Sequence, residues 1–223
     1  MQHTYEHEGE SVFGQTNHEV YFVTASSSKL SYAMIADYKS RQETLPSNLG
    51  SGFLATWVLP VTLTAKSKRF LIVVSPDNHT YKFIRETNKL VLHLASEKQV
   101  DQAVSFGCLS GADTDKIFFS ELSNISQASG QAGVEEDKSS MNLVLKDCAG
   151  YVEAEVTECF DIGERILVVC RSISQATDPS NKPLTKEKLF EAVTPGQLEL
   201  LKKRRTELAT KADKFWSLVG KHL

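Results

Sequence analysis

The sequence predicts a mainly β fold, a barrel with helices packed on its outside and a helical extension at the C-terminus. Three observations point there. Short runs rich in β-branched and aromatic residues recur between Glu19 and Cys170. Two of the later runs, 151–159 and 166–170, flank the turn Asp161-Ile-Gly163 and read as a hairpin. Beyond Thr194 the pattern changes to apolar residues at three- and four-residue spacing.

The elements follow in order. Glu19 to Thr24 (Glu-Val-Tyr-Phe-Val-Thr) has strand composition. A strand or short helix is expected around 32–38, ahead of the loop Pro46-Ser-Asn-Leu-Gly-Ser-Gly52. Phe53 to Leu63 reads as one strand whose Pro60 implies an edge or a bulge. Phe70 to Val74 is an apolar run of strand length, expected to be buried on both faces. Pro76-Asp77-Asn78 starts a helix capped by Asp77 or Asn78, with Tyr81 and Ile84 on one face, which ends at Asn88. Leu90, Leu92 and Leu94 alternate along another strand, 90–95. A short helix over 97–106 turns Val100, Ala103 and Val104 inward, with Gly107 as its C-cap. The stretch 123–140 is Ser-, Gly- and Glu-rich and reads as a loop. In the hairpin, Val152, Ala154 and Val156 point inward and Glu153 and Glu155 outward. Finally Thr194-Pro195 caps a helix of several turns, whose stripe is Leu198, Leu201, Leu208, Ala212, Phe215 and Val219. That stripe must bury against the barrel or against another subunit.

With 223 residues, 41% of them hydrophobic, the chain can bury a sizeable core. We expect a single domain over 1–223, with a barrel core at 19–175 and a helical extension at 176–223. A net charge of −3 argues against nucleic acid as the main partner. The run Lys202-Lys203-Arg204-Arg205 is read as a solvated helix face. Met1 to Glu10 has no basic n-region or apolar h-region, and no apolar run approaches about 18 residues. A cytoplasmic protein without a membrane span is expected. Cys108, Cys148, Cys159 and Cys170 show no Cys-x-x-Cys spacing, so four reduced thiols are expected and no metal site.

Three pieces carry candidate chemistry, each with small polar residues or glycines at the end of an apolar segment. The helix start at Asn78 offers free N–H groups and a dipole that favours an anion, with Ser75, His79 and Thr80 beside it. Leu54-Ala-Thr56-Trp57 can present the Thr56 hydroxyl and strand backbone to a ligand. Phe106-Gly107 through Ser110-Gly111 to Lys116 combines close backbone approach, a hydroxyl and a cation. Asp113 and Asp115 are read as turn residues or caps. Taken singly, each piece is equally an N-cap, a strand end or a loop closing a helix.

Their order resembles the flavin-reductase-like, FMN-binding split barrel family. The match runs through Phe53-Leu-Ala-Thr-Trp57, Phe70–Val74, Ser75-Pro-Asp-Asn-His-Thr-Tyr81, Leu90-Val-Leu-His-Leu94, Phe106-Gly107, Ser110-Gly-Ala-Asp-Thr-Asp-Lys116 and Asp161-Ile-Gly163, over about 19–175. The resemblance implies an FMN-binding split β-barrel and a homodimer with FMN near the subunit interface. It implies cofactor contacts from Leu54, Ala55, Thr56, Trp57, Ser75, His79, Thr80, Tyr81, Phe106, Gly107, Ser110, Gly111 and Lys116. It further implies NADH or NADPH as electron donor and a small-molecule or flavin acceptor. No side chain need be catalytic, because the flavin carries the chemistry at N5. Two positions depart from the pattern: Leu54 stands where the family often has threonine, and His93 where it often has asparagine. The segment 26–48 is long for the first hairpin, and the terminal helix is an addition. A flavin-binding electron carrier or sensor without turnover, and an interaction protein on the same barrel, are the alternative functions.

Overall fold

The computed structural model describes residues 18–31, 34, 37, 38, 40, 41, 43, 48–62, 68–113, 116, 122, 123 and 144–219. Its strands are β1 (Tyr21–Ser26), β2 (Gly50–Ala55), β3 (Val58–Pro60), β4 (Arg69–Val74), β5 (Lys89–Leu94), β6 (Leu122–Ser123), β7 (Val144–Leu145), β8 (Gly150–Asp161) and β9 (Ile166–Thr177). The helices are α1 (His79–Thr87), α2 (Val100–Cys108), α3 (Lys186–Ala192) and α4 (Pro195–Val219). Seven strands form one sheet in the order β2-β1-β5-β8-β9-β4-β3, every pairing antiparallel. β6 and β7 pair separately.

The two edges of the large sheet, β2 and β3, are separated in the chain only by Thr56 and Trp57. One segment therefore lines both edges and closes the sheet into a split barrel. The single strand expected over 53–63 is thus two strands, and residue 63 lies outside the described residues. The reason is geometric: β2 pairs with β1 and β3 with β4, and the chain must change partners at the bend. Pro60 sits on edge strand β3, where its missing donor costs no ladder bond.

Alternation fills the barrel. Phe53, Ala55, Phe70, Ile72, Val74, Leu90, Leu92, Ala154, Ile166, Val168 and Cys170 all join one buried cluster. α1 inserts Tyr81, Phe83 and Ile84 into the same cluster. β4 is not buried on both faces as its unbroken apolar run suggests. Phe70, Ile72 and Val74 are buried, while Leu71 and Val73 are only partly covered. A second core lies on the outer side, where Val20, Phe22 and Ala95 pack with Ala103, Val104 and Phe106 of α2, Leu189 of α3, and Leu198 and Leu201 of α4. His93 is fully buried on β5, with Nδ1 3.3 Å from the Phe22 carbonyl oxygen.

α1 begins and ends where its sequence signals lie. The Asn78 side chain accepts from the Thr80 N–H at 2.9 Å, and Asn88 closes the helix in the left-handed region at φ 53°. α2 runs past its expected end: Gly107 is inside the helix, and the cap is Leu109. A Cβ at Gly107 would stand 3.1 Å from Leu201 and 3.2 Å from Leu54. The glycine thus serves close packing of α4 and β2 on α2 rather than a left-handed cap. α4 starts with a reciprocal box, in which the Thr194 N–H donates to Gln197 Oε1 and Thr194 Oγ1 accepts from the Gln197 N–H. The hairpin β8–β9 is longer than expected and carries two register shifts, at 153/154 and 156/158.

Of the segment 32–38, residues 34, 37 and 38 are helical and the others lie outside the described residues. Of the expected loop over 123–140, Ser123 belongs to β6 and 124–140 lie outside them. The four cysteines are free thiols. No helix among the described residues is long and apolar enough to cross a membrane.

Ile72 is fully buried at the centre of the barrel. Ile72→Ala is expected to cost about 3 kcal/mol, as buried large-to-small changes do. A urea-unfolding midpoint measures this; a loss under about 1 kcal/mol would mean the barrel collapses around the missing atoms.

Candidate functional site

The N-terminus of α1 is the polar focus of the barrel. Ser75 leaves β4, and its carbonyl accepts from the Asn78 N–H at 3.0 Å. The cap then takes up the Thr80 N–H, and Thr80 itself is buried. The positive end of the helix dipole abuts the loop after α2, because His79 and Ser51 both touch Gly111. A Cβ at Gly111 would overlap the Ser51 hydroxyl and stand 3.4 Å from the His79 ring. Only glycine permits this approach. Ser51 is 1% exposed, and its hydroxyl has no hydrogen-bond partner among the described residues. A buried hydroxyl left unpaired costs free energy that a polar ligand would recover.

Ser51 was not among the residues expected here, although a signal existed. It alternates with Phe53 and Ala55, so a polar residue occupies the inward register of β2.

Of the expected contacts, His79, Thr80 and Gly111 come together at this point, with Ser75 in the preceding turn. Ser110 stands next to it, and its hydroxyl accepts from the Ala112 N–H at 3.2 Å, which shapes the loop. Tyr81 points elsewhere. Its ring is in the barrel core and its hydroxyl meets Cys159. Burial foremost, then Cys159, pushes the Tyr81 hydroxyl above its ordinary pKa. Thr56 and Trp57 lie at the closing bend, Thr56 partly covered and Trp57 56% exposed. Ala55 faces the barrel interior.

A second group gathers behind β2, around α2. Leu54 packs with Gly107 and the outer core. Phe106 is buried edge-on to Phe22, with ring centroids 5.0 Å apart. Lys116 is 4% exposed and donates to the carbonyls of Gly52 and Phe106, each at 3.0 Å. It pins the end of α2 to β2. Burial, and then the nearby Arg204 charge, pull its pKa down to about 8, against a smaller upward pull from Cys108. Burial pushes the Cys108 thiol up, while Lys116 and Arg204 oppose that shift.

The outer face of the sheet away from the helices is apolar. One register row carries Leu59, Leu71, Val169 and Glu158, and the next carries Val73, Leu167 and Phe160. Val73 donates its N–H to Trp57, so Trp57 extends the second row. Trp57 and Leu59 are each 56% exposed, and Phe160 is 49% exposed. These large exposed side chains lie in adjoining rows and form one apolar patch.

A family model described as "Flavin reductase like domain" matches residues 13–188. The chain belongs to that family. No curated protein matches the chain. Solved structures share the fold at low identity. The NADH:FAD oxidoreductase of Streptomyces globisporus C-1027 is 14% identical, with a TM-score of 0.56 over 78% of this chain and 84% of that one. A nitrilotriacetate monooxygenase component B homologue from Mycobacterium thermoresistibile is 17% identical, with a TM-score of 0.56 over 82% and 87%. The flavoredoxin of Methanosarcina acetivorans is 15% identical, with a TM-score of 0.53 over 78% and 77%. The chain spans about half, 48%, of a Sinorhizobium meliloti 1021 protein described as an oxidoreductase. Membership of the flavin reductase like family supports a flavin-binding oxidoreductase role at family level, on a split β-barrel. α4 lies beyond the matched residues.

Lys116 gives a test by pH. Its folded pKa of about 8 lies below the ordinary 10.5, so between these values the unfolded chain holds the proton that the folded one releases. Its contribution to stability therefore rises with pH across that window. The urea midpoint of the native protein, minus that of Lys116→Met, is expected to climb from pH 8 to 10.5; a flat difference would mean Lys116 keeps its charge.

Proposed function

We propose that the protein is an FMN-binding, NAD(P)H-dependent flavin oxidoreductase that works as a homodimer. The observation that carries this reading is the meeting of the α1 N-terminus, the buried unpaired hydroxyl of Ser51 and the glycine approach at Gly111. An anionic phosphate fits that donor set. The helix end supplies positive potential and Ser51 a desolvated hydroxyl, with Ser75, His79 and Thr80 at the rim. When bound, FMN supplies hydride chemistry at its N5.

The chain's own residues then bind, orient and shield. The backbone of Leu54–Trp57, at the bend between β2 and β3, is the natural place for the ring edge to find N–H and C=O groups. The end of α2 and the loop 109–111 close the site beside Gly111, and Lys116 holds the end of α2 on β2. The apolar rows around Trp57 and Leu59 are the proposed subunit interface, which puts the β2–β3 bend and the ring next to the partner. No Gly-x-Gly-x-x-Gly segment occurs, so the nicotinamide would dock on the flavin rather than in a nucleotide fold of its own. The electron acceptor would be a small molecule or a second flavin.

Purified protein mixed with FMN and desalted is expected to retain a flavin spectrum and to oxidise NADH or NADPH under air. A colourless protein would remove the flavin reading. A yellow protein that consumes neither nucleotide would make it a flavin carrier or sensor without turnover. Leu59→Asp puts a charge into the apolar face and is expected to shift the sedimenting species from dimer to monomer. An unchanged mass at micromolar protein would remove that face as the interface.

A further inference from the structure

β9 runs on into the segment 178–184, which reaches the end of the barrel opposite Ser51. Ser51 pairs with Ala25 at one end of β1. At the other end the Ala95 N–H donates to the Val20 carbonyl at 2.9 Å. Five residues of strand, about 17 Å, separate the two places. Here Ser96 and Pro183 form a β-bridge. Two bonds bracket it, from the Leu184 N–H to the Ala95 carbonyl at 2.8 Å and from the Glu97 N–H to the Lys182 carbonyl at 2.9 Å. A third stretch, 146–149, meets both. The Ala149 N–H donates to the Leu94 carbonyl at 2.8 Å, and Gln99 Nε2 donates to the Lys146 carbonyl at 3.0 Å.

Two side-chain atoms at this junction are buried with no hydrogen-bond partner among the described residues. Asn181 is 6% exposed, and its Nδ2 donates to the Cys148 carbonyl at 3.4 Å and to the Asp178 carboxylate at 3.0 Å. Those two acceptors fix which way the amide points, and its Oδ1 is left without a donor. Ser96 is fully buried, and its N–H donates to Gln99 Oε1 at 3.0 Å. The Gln99 N–H goes to the Ser96 carbonyl at 2.9 Å, and the Ser96 hydroxyl proton has no acceptor. A buried acceptor and a buried hydroxyl left in this way each cost free energy.

The donor and acceptor roles decide what fits between them. The occupant must accept from Ser96 and donate to Asn181. An anion cannot donate, and a metal ion needs more oxygen ligands than these two. Cys148 brings no charge to the place, because burial pushes its thiol up to about 12. Water meets both requirements.

We propose that a structural water is held between Ser96 Oγ and Asn181 Oδ1 and locks the segment 178–184 onto the turn that starts α2. The lock matters beyond its own atoms, because that turn leads into α2 while 178–184 leads into α3 and α4. It is independent of the flavin reading.

A crystal structure with ordered solvent is expected to show one water about 2.7–3.2 Å from both atoms, and to lose it in Ser96→Ala. Amide hydrogen exchange reads the lock in solution. The Leu184 and Glu97 N–H groups are expected to exchange about tenfold faster in Ser96→Ala, as loss of a buried polar bridge does. Ser28→Ala, at an exposed serine, is the control and should leave both rates unchanged. Thermal midpoints check that each variant is folded. Because both side chains hold the same water, the Ser96→Ala/Asn181→Ala double variant should exchange no faster than the faster single variant. A direct Ser96–Asn181 hydrogen bond, or no ordered water touching both atoms, would overturn the proposal. So would unchanged exchange at both amides in folded Ser96→Ala, or effects that multiply in the double variant.

Discussion

Closure of the sheet by a single bent segment is the constraint on which the rest depends. β2 and β3 occupy opposite edges of a seven-stranded sheet yet are two residues apart in the chain. The bend joins the two edge strands through the chain without pairing them, and Pro60 on β3 blunts one of those edges. It also places Thr56 and Trp57 between the two strands and leaves the Trp57 side chain on the surface. The same segment carries Ser51 at its start and Leu59 past its bend. One strand thus brings the polar focus and the apolar outer face into fixed relation. A change that loosened the bend would disturb both.

The closed barrel then decides what α1 can do. Its apolar side is spent on the barrel core through Tyr81, Phe83 and Ile84. Its N-terminus accordingly lies where β4 ends, with Thr80 buried and the Asn78 cap satisfying the Thr80 N–H. The loop after α2 reaches that end only because Gly111 has no side chain. The Lys116 ammonium is buried for a related reason. It bridges two carbonyls, on β2 and at the end of α2, which no apolar side chain could satisfy together. Burying a charge to do so is costly, and its lowered pKa records that cost.

Much of this was legible from residue types and spacing where local rules and tertiary packing agree. The cap at Asn78, the stop at Asn88, the 151–159/166–170 hairpin and the helix after Thr194 are examples. Legibility failed where packing overrode the local rule. Gly107 looked like a helix stop because glycine is common there, but the deciding contacts are Leu54 and Leu201, distant in sequence. The 53–63 run looked continuous because its composition does not change at the bend; the change is in pairing partner. The both-sides burial expected of Phe70–Val74 failed because an apolar run cannot distinguish a covered face from a partly open one. In the candidate site, His79, Thr80 and Gly111 were readable as a helix start and a glycine loop. Ser51 was not singled out, since its meaning lies in an inward register known only once Phe53 and Ala55 are placed.

α4 sharpens the difference between what a family supplies and what one chain adds. The family-matched residues account for the barrel, α1 and α2, but not for a helix that runs from the outer core to Asp77. Among the described side chains, Leu198 and Leu201 pack the first turns of the helix on the outer core. Docking of those turns on α2 sets the helix axis, and the axis carries Lys211 to the exposed carboxylate of Asp77. Basic residues on the other positions of the helix, Lys202, Lys203 and Arg205, are exposed and screened by solvent, so the same composition has different weight on the two faces. A basic run that reads as one solvated patch in the sequence divides, once the helix is docked, into three charges that meet water and one, Arg204, that is partly covered.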